Sequence, residues 1–247
     1  MRYFMRLSYR GAPFCGWQVQ PHDPSVQQTI EQALATLLRY RTALTGAGRT
    51  DTGVNAAMMM AHFDVNSAIP DVPLFVRSLN GILPRDVAIH AVFPVHDEAH
   101  ARFDATSRTY KYFTHTSKSP FLYPLSWCCH ARLDYDLMNQ AAQHLLEVED
   151  FTSFSKLHTD VKTNRCRVTQ AVWAREGDQW VFTITADRFL RNMVRAIVGT
   201  LVDVGTHKIT LQRFREIIAL KDRCQAGTSM PGHALFLWNI TYPYPVF

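Results

Sequence analysis

Residues 2–9 alternate regularly enough to be read as a half-buried strand, with Tyr3, Met5, Leu7 and Tyr9 on one face and Arg2, Arg6 and Ser8 on the other. Further strand signals run over 58–65, 87–93, 109–116 and 235–242. Segments 168–174 and 180–185 flank Glu176-Gly177-Asp178 as the arms of a hairpin. Helical periodicity is interleaved with these strands. Ser25-Val26-Gln27-Gln28 has the form of a capping box, and Ile30, Ala33, Leu34, Leu37 and Leu38 follow it as one apolar stripe. Leu137, Ala141 and Leu145 mark a second helix, and Leu211, Phe214, Ile217 and Ile218 a fourth. The third is predicted from about 188 to 204, with Leu190, Met193, Ile197 and Leu201 on one face and Arg188, Arg191 and Arg195 on the other. Strands and helices mixed without a regular strand-helix-strand rhythm predict an α+β fold with largely antiparallel sheets, not a doubly wound one. The polar stretch from Arg102 to Arg108 precedes a new strand and predicts two α+β halves, 1–104 and 105–247.

At 247 residues the chain can bury a core without a disulfide or metal staple. Its five cysteines, at 15, 128, 129, 166 and 224, show no two-residue gap of a zinc or redox motif and read as reduced thiols. Arginines stand where a signal peptide needs an apolar core, and no stretch approaches the roughly 18 apolar residues of a membrane span. A cytoplasmic protein without a membrane partner is expected. The net charge of +5 favours an anionic partner, and the basic residues are 20 arginines against 6 lysines. Arginine's planar fork binds phosphate oxygens in pairs and stacks on bases, so this bias points towards nucleic acid.

The segment with most chemical content is Thr45-Gly46-Ala47-Gly48-Arg49-Thr50-Asp51-Thr52-Gly53-Val54-Asn55-Ala56. Its three glycines exclude a helix or regular strand and predict a tight loop that a ligand can approach closely. Asp51, flanked by Arg49, is suited to act as nucleophile or base against a polyanionic substrate, because a nearby arginine favours the charged carboxylate and also binds phosphate. An ordinary turn whose aspartate bonds its own backbone is the competing reading. A Walker loop is excluded by Val54 and Asn55 after the last glycine, and the dinucleotide pattern by Asp51 in place of its third glycine. His96-Asp97-Glu98-Ala99-His100 would set two histidines on one helical face, but it follows Pro94 and lacks a third ligand at recognisable spacing, so no metal is expected.

Gly48 to Asn55 resembles the signature loop of the tRNA pseudouridine synthase A family. The likeness extends in order through Tyr9-Arg10-Gly11, Phe14 to Gln20, Ser25-Val26-Gln27, Ala61-His62-Phe63, Leu79-Asn80 with Leu83-Pro84, and Ala99 to Phe103. It continues through Arg108 to Tyr112, Asp150 to Phe154, Phe189-Leu190, Met193-Val194-Arg195, Val198 to Leu201 and the tail from Pro231. The resemblance implies a pseudouridine-synthase-like fold whose two halves meet at a central cleft. It implies that Asp51 is the catalytic aspartate, that Tyr110 packs on the target base, that Arg195 pairs with the aspartate, and that Arg49 helps to hold the base out of its helix. Arg188 and Arg191, beside Arg195 on the expected helix face, are candidate substrate contacts. The implied reaction is isomerisation of uridine to pseudouridine at positions 38–40 of the tRNA anticodon stem-loop, by a homodimer and without a cofactor. Whether Asp51 attacks base or sugar, or acts as a base at the ribose, stays open. Thr52 and Asn55 depart from the family's usual alanine and histidine, and Met230, Gly232 and Ala234 alter its usual tail.

Overall fold

The computed structural model describes residues 1–156 and 163–246. It divides into two compact units, Met1–Thr106 with Leu237 onward, and Ser107–Phe236. The sequence expectation of a second half running from 105 to 247 thus differs from these units, because the last segment groups with the first.

The first unit is built on β1 (Arg2–Tyr9), a central strand paired antiparallel on both sides. Helix α1 (Val26–Leu38) and the short β2 (Leu44–Gly46) follow, then β3 (Asn55–Asp64), helix α2 (Val72–Ile82) and β4 (Val87–Val95). β3 and β4 flank β1, and β2 pairs antiparallel with β3. The alternation of residues 2–9 understates how far β1 is enclosed, since Phe4 is as fully buried as Met5 and Leu7. Both faces of this strand are therefore covered along part of its length. Ser25 caps α1 as its sequence suggests, accepting the Gln28 N–H at 3.3 Å from a fully buried position.

The second unit begins with β5 (Ser107–His115), against which the two-residue β6 (Trp127–Cys128) runs parallel. Helix α3 (Tyr135–Gln143) precedes the hairpin of β7 (Val168–Glu176) and β8 (Gln179–Ala186), and β8 pairs antiparallel with β5 as well. Helices α4 (Met193–Gly205) and α5 (Leu211–Leu220) come next, and β9 (Leu235–Thr241) carries the chain back to the first unit. β1 with β3 and β4, β2 with β3, and β8 with β5 and β7 are antiparallel, and β5 with β6 is parallel, in keeping with the α+β expectation.

Two expectations need correction. The third helix starts at Met193, not near 188, because Asn192 adopts left-handed backbone (φ 65°) and interrupts helical geometry there. Arg188 and Arg191 consequently lie in the approach to the helix and share no helical face with Arg195. α4 is also not the amphipathic surface helix expected, being buried at nearly every position from Met193 to Gly205. Outside the helices, His96 and His100 flank a turn at Asp97-Glu98, and the Nδ1 of His100 accepts from the N–H groups of Arg102 at 3.1 Å and Phe103 at 3.2 Å. The i, i+4 helical geometry that would have paired them is absent from this segment.

Candidate active site

Arg49 and Asp51 belong to the first unit, Tyr110, Arg188, Arg191 and Arg195 to the second. Within the first unit, the loop from Gly46 to Asn55 is backed by residues 11–17. Trp17 donates its N–H to the Thr50 carbonyl at 3.2 Å, and Gly53 donates to the Phe14 carbonyl at 3.4 Å. The buried Asn55 side chain accepts the Gly11 N–H at 2.8 Å. Asparagine at this departure from the family pattern thus ties the end of the loop to the N-terminal segment.

The two backbones lie so close that side chains would not fit between them. A Cβ on Gly11 would come within 2.3 Å of the Val54 carbonyl oxygen. One on Gly16 would meet the Thr50 oxygen at 2.5 Å, and the φ of +96° there already favours glycine. Gly46 faces the Trp17 ring, 2.5 Å from where its Cβ would be. The loop glycine at 46 therefore makes room for an indole, not for a ligand as the sequence had suggested. Trp17 is itself braced by Tyr9, with ring centroids 6.0 Å apart. It is also tied to the start of α1, its carbonyl accepting the Gln27 N–H at 3.0 Å while the Gly16 carbonyl accepts that of Val26 at 3.2 Å. Those N–H groups have no partner inside a helix, so the segment completes α1 while supporting the loop.

Asp51 itself opens a tight turn. Its carbonyl accepts the Val54 N–H at 3.1 Å, with Gly53 at φ +75° in the third position, where a left-handed residue is needed. Asp51 is a half-buried residue, and Arg49 beside it is exposed. A turn aspartate was the competing reading of this residue. The turn is present, and it uses the backbone oxygen of Asp51.

In the second unit, Tyr110 lies opposite Ile184 in the β5–β8 pairing and is half-buried. Its ring meets Phe189 edge to face, centroids 5.0 Å apart at 82°. Sequence reasoning did not single out Phe189 as a site residue; its only signal was its place next to Arg188 in a segment shared with the family. An edge-to-face contact of this type contributes about 0.5–1.5 kcal/mol and holds the Tyr110 ring in one orientation. Arg108, two residues before Tyr110, donates Nη1 to the Asp187 carbonyl at 2.8 Å. The Asp187 carboxylate accepts the N–H groups of Arg167 at 2.8 Å and Arg188 at 2.7 Å. The segment carrying Arg188 and Phe189 is thereby fastened across the β5–β8–β7 edge. The Arg188 charge also reaches the Cys166 thiol, whose burial pushes its pKa up to about 12 against that opposing influence.

Arg195 projects from the first turn of α4. Its Nε donates to the Met230 carbonyl at 2.5 Å, and its own carbonyl accepts the Met230 N–H at 3.1 Å. Its charge is also felt by Tyr112, fully buried on β5, whose hydroxyl is pushed towards the neutral form mainly by burial. The strap from Gly227 to Met230 crosses α4 at Gly199, where a Cβ would stand 1.8 Å from the Thr228 oxygen. Arg223 and Asn192 hold the strap further, donating to the Ser229 hydroxyl at 2.8 and 2.6 Å. Met230, a departure from the family's usual tail, acts on Arg195 through its backbone N–H and carbonyl, which any residue but proline could supply. Arg191 is exposed, and its carbonyl accepts the Lys156 N–H at 3.1 Å.

Residues 141–243 match the family described as tRNA pseudouridine synthase. A protein named tRNA pseudouridine synthase A from Parabacteroides distasonis is 57% identical over 246 residues, an alignment covering 100% of this chain and 98% of that one. The chain belongs to the tRNA pseudouridine synthase A family. Proteins of the same name from Bacteroides fragilis and Bacillus subtilis are 53% and 39% identical, with coverage of 100% and 98% of this chain and 98% and 99% of theirs. Against tRNA pseudouridine synthase A proteins, then, the similarity spans both units. Among the described residues no helix is long and apolar enough to cross a membrane, and no group of three His, Cys, Asp or Glu is placed to hold a metal ion.

Proposed function

We propose that this protein isomerises uridine to pseudouridine in tRNA, at positions 38–40 of the anticodon stem-loop, with Asp51 as the catalytic carboxylate. The observation that carries this reading is the clamped loop. Asp51, a half-buried residue, stands in a turn whose backbone is held at Thr50, Gly53 and Asn55 by one N-terminal segment. Such rigidity suits a group that must meet a reacting atom in one geometry.

The reaction breaks the bond from N1 of the base to the ribose, turns the base, and rejoins it through C5, which loses its proton while N1 takes one up. Bonds broken and formed balance without oxidant, hydrolysis or energy input. Asp51 either adds covalently to base or sugar or takes a proton at the ribose; both need the carboxylate form. A uridine inside a folded RNA must first leave its stack, which costs a few kcal/mol, and an aromatic surface recovers part of that cost. Tyr110, with its ring set by Phe189, supplies that surface. Arg195, aimed by Met230, is the partner assigned to the Asp51 carboxylate, and the exposed Arg49 is assigned to the space vacated by the base. Arg188 and Arg191 are assigned to phosphates, as loop residues. The active form is a cytoplasmic homodimer, with the unit bearing the Asp51 loop and the unit bearing Tyr110 and Arg195 as its two domains.

The test is tritium release from tRNA labelled at uridine C5, since carbon-carbon rejoining must expel that hydrogen. Wild type releases tritium in proportion to conversion. Asp51→Asn keeps the side-chain shape and binds tRNA but releases none. Release by Asp51→Asn at the wild-type rate rejects the assignment.

A further inference from the structure

Asp51 extends from a loop, and a loop holds a carboxylate to within a fraction of an ångström only where its backbone is fixed on both sides. After Asp51 the constraint is the turn closed by Val54. Before it the constraint is Thr50, a buried residue held at two points. Its carbonyl accepts the Trp17 N–H at 3.2 Å, and its hydroxyl pairs with the Tyr9 hydroxyl at 2.8 Å in buried surroundings. Tyr9 is the last residue of β1, the central strand of its unit, and lies opposite Ala56 and Val87 in the strands to either side. The β1–β3 register shifts between Leu7 and Tyr9, a bulge-like irregularity of the kind that re-aims side chains. The loop runs from β2 into β3, and β1 reaches its middle through a short chain of contacts: strand end, phenol, Thr50 hydroxyl, Asp51. Thr50 and Asp51 are adjacent in the chain.

We infer that Tyr9 is a positioning residue for the reaction: its hydroxyl locks Thr50, and so sets the direction in which Asp51 presents its carboxylate. The role rests on Asp51 being the catalytic carboxylate. Tyr9 acts through Thr50 and contacts no substrate. Its ring separately braces Trp17, and removal of the hydroxyl alone keeps that contact.

Tyr9→Phe removes one oxygen and keeps the ring, Thr50→Val removes the other partner, and Thr50→Ser retains it. Each enzyme is assayed by tritium release across a range of tRNA concentrations, with Asp51→Asn alongside. Because a misplacement of about 1 Å can cost on the order of 100-fold in rate, Tyr9→Phe and Thr50→Val are each expected to lower kcat at least about tenfold. KM for tRNA should stay within about twofold, since the lost interaction acts on the transition state and not on RNA binding. The double variant should lose no more than the worse single one, and Thr50→Ser should keep kcat within about threefold of wild type. Wild-type kcat in Tyr9→Phe and Thr50→Val, with Asp51→Asn inactive, overturns the positioning role alone. So does a change confined to KM, or losses that multiply in the double variant. Full activity in Asp51→Asn removes the catalytic assignment and this role with it. Should one single variant fail to fold, judged by circular dichroism, the other decides by its kcat.

Discussion

Acidification should weaken the first unit through one buried histidine. His62 on β3 is 6% exposed, and its Nδ1 accepts the Ala101 N–H at 3.1 Å, which requires the neutral ring with its proton on Nε2. Burial lowers its pKa to about 4 from 6.5, helped by the charges of Arg2 and His100 and opposed by Asp64 and Asp104. Above pH 6.5 the ring is neutral whether the chain is folded or not, and nothing is lost. Between 6.5 and 4 the unfolded chain takes up a proton that the folded one refuses, so stability falls as the pH falls through that window. At 1.36 kcal/mol per pKa unit the loss approaches about 3 kcal/mol below pH 4 and is about 2 kcal/mol at pH 5. His62→Gln supplies a carbonyl oxygen for the Ala101 N–H but cannot titrate. In urea denaturation at pH 7 and pH 5, the wild type should lose about 2 kcal/mol more than His62→Gln over that interval. Equal losses in the two proteins would refute the reasoning.

Other perturbations follow from the same contacts. Asn55→Ala leaves the buried Gly11 N–H without its acceptor and should cost about 1–3 kcal/mol, seen as a lower urea midpoint; an unchanged midpoint contradicts the clamp. Gly199→Ala places a methyl group against the strap carbonyl at 228 and should destabilise the second unit by about 2–3 kcal/mol, read as a lower Tm in calorimetry. Binding of tRNA should weaken linearly with salt on logarithmic axes, and Arg191→Ala should reduce the slope by about 1, whereas an identical slope rejects a phosphate contact at that residue.

Segments with a strong local signal were readable from the sequence. β1 alternates because one face meets the core over most of its length, and α1 carries its start in Ser25 and its inner face in the apolar stripe. α2 was missed although Asp71 accepts the Leu74 N–H at 2.8 Å and a proline occupies its first turn, a capping signal visible in the sequence. Its stripe gave little guidance, since Leu79 alone is buried while Leu74 and Ile82 are exposed. The start of α4 was misplaced because Leu190 continues the apolar period, and nothing in the periodicity reveals that Asn192 turns left-handed. Asp51 was readable from its glycine-rich surroundings, but the contacts that hold it were not. Tyr9, Gly11, Phe14 and Trp17 lie some forty residues away, and their meeting with the loop is set by the β1–β3 pairing and the close approach at Gly11 and Gly16. Long-range register of this kind leaves no periodic trace.

The central claim is that the Asp51 carboxylate makes pseudouridine at positions 38–40 of the tRNA anticodon stem-loop. Mapping pseudouridine at nucleotide resolution in an unmodified tRNA transcript, after incubation with wild type or with Asp51→Asn, tests it most directly. The account predicts conversion confined to positions 38–40 with wild type and an unmodified transcript with Asp51→Asn. Equal conversion by both proteins, or modification elsewhere in the tRNA, would contradict it.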